Sequence, residues 1–177
     1  MARSPFLVNV HSLVGKPGTM RELELDLPVA EHIGEGLIAV PEGSTAHVDV
    51  RLESLHDGIL ASGDARVELA GECSRCLEPI TDELEVDFAE LFAYARDEAY
   101  EYVVEADHVD LEPAVRDAVV LALPFQPVCR PDCLGLDPAT GEKLQQPLPD
   151  RAEPTDPRWA ALTQFDASDS APASPTE

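Results

Sequence analysis

Residues 46–76 read AHVDVRLESLHDGILASGDARVELAGECSRC and contain two alternating stretches joined by an Asp-Gly turn. The apolar members of the first stretch, which alternate with polar residues, are Ala46, Val48, Val50 and Leu52. A period of two is typical of a β-strand with one buried face. The turn at His56-Asp57-Gly58 and a return strand from Ile59 to Ala70 complete a predicted hairpin, because Asp-Gly between alternating stretches favours this turn.

The same alternation on both sides of this hairpin predicts a larger sheet. Met20 to Val29 reads MRELELDLPV, in which leucines alternate with acidic residues until Pro28 ends the pattern. Thr81 to Phe92 alternates in the same way, and Phe6 to Leu13 is a further strand candidate. Strands of this type favour antiparallel pairing, with one face of the sheet in water.

One helix is predicted between Leu111 and Leu123. Asp110 suits the N-cap position, and Pro113 suits the first turn. The apolar residues that recur at helical spacing are Leu111, Val115, Ala118, Val119 and Ala122. The helix should end before Pro124, since the residue preceding a proline is disfavoured in the α region. The expected fold class is α+β, a mostly antiparallel β-sheet with one main covering helix.

The composition changes at Pro147, which predicts a boundary. Residues 147–177 contain six prolines and many Ser, Asp, Thr and Ala residues, as an extended acidic, Pro-rich C-terminal tail would. Trp159–Phe165 interrupts this composition and predicts a short helix, which either packs back on the domain or docks on a partner. For a chain of 177 residues, we therefore expect a single domain over residues 1–146 and a tail over 147–177.

The charge of the chain argues against several classes of function. Its 12 Lys and Arg residues against 35 Asp and Glu residues give a net charge of −23. Nucleic-acid binding and attachment to anionic membranes both depend on basic residues. The longest apolar run, Ala118 to Leu123, has six residues, whereas a membrane span needs about 20. Together with an N-terminus unlike a signal peptide, this pattern predicts a cytoplasmic protein with no membrane partner.

Acidic residues are concentrated between Glu78 and Glu112. This stretch holds 13 acidic residues and one basic residue, Arg96, for a net charge of −12. It is either the hydrated face of the sheet or a surface for a basic protein partner, whose encounter it would accelerate. Direct RNA contact is not expected, and it would have to use the few basic positions near the cysteines, such as Arg75 and Arg130.

The four cysteines form two closely spaced pairs, Cys73–Cys76 and Cys129–Cys133. A reducing cytosol favours metal or redox chemistry over disulfides, and two such pairs can supply the four corners of a tetrahedral zinc site. We predict a structural zinc ion that clamps a strand to the helix. A redox-active Cys73/Cys76 pair, cysteines that simply pack, and disulfides remain as alternatives. The sequence marks out no catalytic and no cofactor-binding residue.

The cysteine pairs and their surroundings resemble the YceD family of large ribosomal RNA subunit accumulation proteins. The motifs that carry the resemblance are CSRCLEP (73–79), VVLALP (119–124), PVCRPDCLGL (127–136) and DPRWAAL (156–162). They occur in the order of the family, over residues 5–165. Many relatives have further cysteines after the second pair, but residues 134–141 contain none, which limits the site to one zinc ion.

The resemblance implies a non-enzymatic ribosome-biogenesis factor that supports synthesis, processing or accumulation of large-subunit (23S) ribosomal RNA. It would act through a basic ribosomal or ribosome-assembly protein and would reach the large-subunit precursor indirectly. The alternative is a zinc- or thiol-dependent enzyme, or a redox protein that uses Cys73 and Cys76. Four thiolates leave no open coordination position, which favours the first function.

Overall fold

The structure is a computed structural model that describes residues 4–96, 101–147 and Arg158. Within these ranges the chain forms eight strands and one helix. The strands are β1 (Leu7–Asn9), β2 (Met20–Pro28), β3 (Ile38–Ala39), β4 (Thr45–Ser54), β5 (Gly58–Glu72), β6 (Pro79–Ala93), β7 (Tyr102–Val103) and β8 (His108–Asp110). The helix, α1, spans Glu112–Ala122.

Six strands form one sheet in the order β2-β4-β5-β6-β7, and β3 pairs with β5 beside this path. All pairings are antiparallel except that of β6 with β7, which runs parallel at Phe92 and Ala93. A second sheet of two strands pairs β1 with β8. The structure therefore consists mostly of strands with one helix, consistent with the α+β class expected from the sequence.

The predicted hairpin of residues 46–70 is present as β4 and β5, paired from His47–Arg66 to Ser54–Ile59, and β5 extends beyond Ala70 to Glu72. β5 also forms a longer hairpin with β6. β5 and β6 each contain 15 residues, and their ladder extends to the pair Glu72–Pro79. Val50 lies opposite Gly63 on the buried face. A side chain at Gly63 would collide with the backbone oxygen of Asp49, so the close approach of β4 and β5 requires a glycine there.

The N-terminal strand is shorter than predicted. Phe6, Val8 and Val10 are buried, as their alternation indicated, but β1 ends at Asn9. The N–H groups of Leu13 and Val14 donate to the backbone oxygen of Val10 at 2.8 and 3.1 Å. The chain therefore turns at Val10 instead of continuing to Leu13.

Helix α1 begins one residue later and ends one residue earlier than predicted, and the N-cap is Leu111 instead of Asp110. Leu111 occupies the N-cap position without a side-chain cap, while the carboxylate of Asp110 accepts a hydrogen bond from the N–H of Glu112 at 3.1 Å. Leu123 leaves the α region with a ψ of 133° before Pro124. The helix buries Val115 and Val119 and packs against β6. In the part of the chain that the structure describes, no helix has the length and apolar composition needed to cross a membrane.

The predicted C-terminal tail, with its Trp159–Phe165 segment, lies outside the described residues except for Arg158. The boundary at residue 147 stays a prediction.

Candidate metal centre

The first cysteine pair lies in the turn that joins β5 to β6. The N–H of Cys73 donates to the oxygen of Glu78 at 2.8 Å, and the N–H of Leu77 donates to the oxygen of Cys73 at 2.9 Å. Leu77 adopts a left-handed conformation with a φ of 57°, which few residues other than glycine tolerate. The turn therefore places both cysteines at the tip of the longest hairpin.

The second pair lies in the segment that follows α1. The N–H of Cys133 donates to the oxygen of Arg130 at 3.1 Å and closes a short turn. Two backbone N–H groups connect this segment to the first turn: Ser74 N–H donates to the oxygen of Pro127 at 2.8 Å, and Cys129 N–H donates to the Sγ of Cys73 at 3.4 Å. The two cysteine turns thus face each other directly.

All four sulfur atoms converge on one point. The Sγ atoms of Cys73 and Cys133 are 3.9 Å apart, and those of Cys76 and Cys129 are 3.7 Å apart. The four atoms all lie within 4.8 Å of one another. A tetrahedron with Zn–S bonds of about 2.3 Å has sulfur–sulfur edges of roughly 3.8 Å, so the arrangement could hold one zinc ion. The predicted convergence is confirmed, while the identity of the metal stays a prediction.

These distances separate the metal site from the disulfide alternative. All four cysteines are free, and the sulfur–sulfur distances far exceed the bond length of about 2.0 Å in a disulfide. A thioredoxin-like role for Cys73 and Cys76 would place the pair at the start of a helix. Here the pair lies in a β-hairpin turn, and Cys73 is 0% exposed.

The thiols differ in their ease of ionisation. The N–H of Cys129, which hydrogen-bonds to the sulfur, lowers the pKa of Cys73 to about 6. Desolvation, with the neighbouring thiols, raises the pKa of Cys129 to about 12, and desolvation also raises the pKa of Cys76. Adjacent thiolates repel one another, so their joint ionisation needs a compensating cation. A divalent metal supplies that charge and displaces the protons.

The basic side chains near the cysteines form hydrogen bonds and ion pairs with other groups of this chain. The guanidinium of Arg75 donates to the backbone oxygens of Cys133 and Pro131 at 2.9 and 3.4 Å. Arg130 lies 3.4 Å from Asp132, and Lys143 pairs with Glu78. Arg75 therefore braces the second cysteine turn. The sequence indicated Arg75 only as a position for RNA contact, because no sequence pattern marks a side chain that binds backbone oxygens.

The acidic middle stretch contributes to a hydrated sheet face. Glu83, Glu85 and Asp87 are exposed on β6 and lie opposite Glu68, Arg66 and Asp64 of β5. The first of the two interpretations, a hydrated face, is thus confirmed for these residues. Contact with a partner stays a prediction.

The sequence is similar to a known protein family over the region that contains the four cysteines. A family model described as "Large ribosomal RNA subunit accumulation protein YceD" matches residues 61–166, which include all four cysteines. The uncharacterized protein Rv2926c of Mycobacterium tuberculosis is 41% identical over 170 residues, which cover 92% of this chain and 82% of the relative. The uncharacterized protein ML1660 of Mycobacterium leprae is 32% identical over 182 residues, covering 98% and 83%.

A more distant relative is the uncharacterized protein YlbN of Bacillus subtilis, 30% identical over 104 residues, which cover 55% of this chain and 60% of the relative. No solved structure matches the chain. The family match covers more than half of the sequence and includes most of the β5–β6 hairpin, the helix and both cysteine turns. The chain therefore belongs to the YceD family.

Proposed function

We propose that this protein is a non-enzymatic factor that supports the accumulation of large-subunit ribosomal RNA by binding protein partners. The observation that carries the proposal is the closed set of four cysteine sulfurs, found in a chain of the YceD family. Four thiolates complete the coordination of zinc, so no position is left for a reacting water or substrate.

The zinc ion is proposed as a structural staple between the two cysteine turns. Cys73, Cys76 and Cys133 are buried, whereas Cys129 is exposed. Zinc bound by such turns contributes folding free energy, on the order of 10 kcal/mol in zinc-finger peptides. The ion would hold the segment after α1 against the tip of the β5–β6 hairpin, and with it the surfaces on both sides.

The proposed partner is a basic ribosomal or ribosome-assembly protein. Four carboxylates lie side by side across the polar face of the sheet: Glu24, Asp49, Asp64 and Asp87. Arg66 pairs with Asp49 and Asp64, so the row keeps a net negative charge. Phosphates within a Debye length of about 8 Å of such a row are repelled at physiological salt, whereas basic side chains are attracted. The negative charge of this face therefore favours a protein partner, which in turn contacts the large-subunit precursor.

The proposal is tested in cells that lack this protein and are complemented with variants. Depletion should lower the ratio of 23S to 16S ribosomal RNA, and the wild-type chain should restore it. Cys76→Ser should fail to restore the ratio, while Ser74→Ala, in the same turn but without a ligand atom, should succeed. An unchanged ratio after depletion would contradict the proposal.

Affinity capture separates a protein partner from an RNA partner. A basic protein that co-purifies after ribonuclease treatment supports protein binding. Capture that disappears with ribonuclease would instead mean that the chain contacts RNA, and the proposed partner class would be wrong.

One contact favours the alternative of a thiol-dependent enzyme or redox protein: the N–H of Cys129 donates to the Sγ of Cys73 at 3.4 Å and lowers the pKa of that thiol to about 6, as in reactive thiols. However, the Cys73 side chain is 0% exposed. Thiol titration with and without a chelator decides between them. A structural site should hold about one zinc per chain and expose thiols only after chelation, whereas a redox pair should react without it.

A further inference from the structure

Strand β2 forms one edge of the main sheet. Within the described residues it pairs with β4 alone, and no other backbone group in that part of the chain hydrogen-bonds to residues 22–26. The outer side of β2 therefore presents backbone N–H and C=O groups that are free to pair. Such an edge is a template for an additional strand.

The side chains of β2 limit which strand can be added. Glu22, Glu24 and Asp26 are exposed, whereas Leu23 and Leu25 are half-buried against the core. Each edge residue would have an incoming side chain about 5 Å away on the same face. Alternating positions of the incoming strand would thus meet a carboxylate on one face and a leucine on the other.

A second copy of this chain fits poorly at this edge. Antiparallel pairing of two β2 strands would bring carboxylates of residues 22–26 beside one another, and directly opposed like charges destabilise a strand pair. A basic strand has the opposite sign and would relieve the repulsion within the row that Glu24 begins. Charge complementarity therefore selects the class of partner.

The neighbouring surface leaves space for long basic side chains. Two grooves of about 540 and 610 Å³ lie along β2 and β4. Each groove also contains a basic side chain: the first is lined by Glu22, Glu24, Asp49 and Arg51, and the second by Glu24, Asp26, Asp49 and Arg66, which pairs with Asp49. Lys or Arg side chains from an added strand could extend into these grooves and reach carboxylates on both strands.

We infer that the free edge of β2, residues 22–26, accepts an extended segment of a basic protein in which Lys or Arg alternates with apolar residues. The inference rests on the proposed function for the class of partner. Beyond the proposed function, the inference specifies that the partner binds by adding a strand through backbone hydrogen bonds and that it does so at β2.

The pattern of β2 has a matched counterpart. Residues 22–26 read ELELD, and residues 83–87 of β6 read ELEVD. Helix α1 packs against β6, whereas the contacts of β2 are chiefly with β4. The two pentads are separated by three strand spacings, about 14 Å, which exceeds the Debye length of about 8 Å at physiological salt. In the part of the chain that the structure describes, β7 pairs with β6 only at Phe92 and Ala93, so residues 83–87 form a second free edge. The control for β2 is therefore a charge reversal outside the sheet, at the exposed residues Glu31, Glu35 and Glu42.

The test measures binding of synthetic peptides to the full chain at physiological salt. The probe is a capped peptide with a Lys-Val repeat, and the controls are a block peptide of the same composition and a repeat peptide N-methylated at alternate residues. The block peptide loses the alternation, and the methylated peptide keeps its charge but cannot complete a ladder. Both controls should bind at least tenfold more weakly than the probe.

Two triple variants locate the site. Glu22→Lys, Glu24→Lys and Asp26→Lys together should weaken probe binding at least tenfold, while the same changes at Glu31, Glu35 and Glu42 should weaken it less than threefold. Circular dichroism checks that both variants fold, and amide exchange of the wild-type chain should show probe-dependent protection in β2. If the β2 triple variant does not fold, the amide exchange of the wild-type chain and the two control peptides still decide whether the probe binds at β2.

The inference is overturned if the methylated or block peptide binds as well as the probe, or if both triple variants lose binding equally. It is also overturned if the probe does not bind; the acidic pentads would then only protect the edges against pairing. None of these outcomes bears on the ribosomal RNA ratio after depletion, so failure here is distinguishable from failure of the proposed function.

Discussion

The β5–β6 hairpin and the segment from residue 124 to residue 147 meet at the cysteines but are stabilised differently. The hairpin has 15 paired residues in each strand and buries apolar side chains such as Val67 and Phe92. None of the eight strands and no part of α1 lies in the segment. Its buried residues are Pro127, Cys133 and Gly135. Burial of apolar surface can stabilise the hairpin, whereas the segment depends on the sulfur cluster and a few hydrogen bonds.

Removal of one ligand should have the largest effect and should act on the segment first. Cys76→Ser should abolish stoichiometric zinc binding and lower the melting temperature sharply, since metal-binding free energy is also folding free energy. Amide exchange should show lost protection in residues 124–147 and retained protection in most of β4 and β5. Metal analysis and hydrogen exchange measure both effects.

The control for this variant is Ser74→Ala, which changes a neighbouring side chain and retains the Ser74 N–H that binds Pro127. It should keep zinc and stability. If Cys76→Ser retained wild-type stability, the four cysteines would be ordinary packing residues and the segment would not depend on a metal ion.

Truncation of a core side chain tests how strongly apolar burial stabilises the β5–β6 hairpin. Phe92 is 1% exposed and its ring lies 5.3 Å from that of Tyr102. Phe92→Ala should lower the free energy of unfolding by about 3–5 kcal/mol, measured by chemical denaturation of the zinc-loaded protein. The folded fraction should still bind one zinc per chain.

Phe125→Ala is the matched control, because Phe125 is 94% exposed and lies in the segment. Its effect should stay within about 0.5 kcal/mol. Equal losses from the two phenylalanine variants would mean that the segment is stabilised by apolar burial after all.

The same contrast explains what the sequence could predict. Alternation and Asp57-Gly58 are local signals, so the central strands and the helix were predictable to within a few residues. β7 has two residues, and its parallel pairing with β6 depends on tertiary contacts. The cysteine pairs predicted convergence through ligand chemistry, yet the brace from Arg75 to the second turn follows from three-dimensional placement alone.

Charge on the outer face of the hairpin should affect association more than stability. Glu83→Lys, Glu85→Lys and Asp87→Lys together should slow association with a captured basic partner about tenfold at low salt. The salt dependence should weaken as well, and the unfolding free energy should change by less than about 1 kcal/mol, because these side chains are exposed. Stopped-flow or surface-binding kinetics measure the rates.

The control triple is Glu31→Lys, Glu35→Lys and Glu42→Lys, which makes the same change in net charge at exposed positions outside the sheet. Its association rate should fall less. Equal slowing would show that only the overall charge matters and that the acidic middle stretch is no contact surface.

The smallest effect concerns Leu77, in the turn between β5 and β6. Leu77 follows Cys76 at a φ of 57° and is 55% exposed. The left-handed conformation costs a non-glycine residue about 1–2 kcal/mol, while glycine increases the entropy of the unfolded chain by about 0.4–1 kcal/mol. Leu77→Gly should therefore stabilise the protein by up to about 1 kcal/mol, and zinc competition should show equal or tighter binding.

Leu134 supplies the comparison in the second cysteine turn, since it is 37% exposed and is not among the residues with positive φ. Leu134→Gly has no strain to relieve, so it should destabilise by up to about 1 kcal/mol. Opposite signs from the two substitutions, measured by denaturation of the zinc-loaded protein, would show that the hairpin turn stores strain and that the second turn does not. A loss at Leu77 as large as that at Leu134 would mean that the Leu77 side chain contributes packing that outweighs its backbone strain.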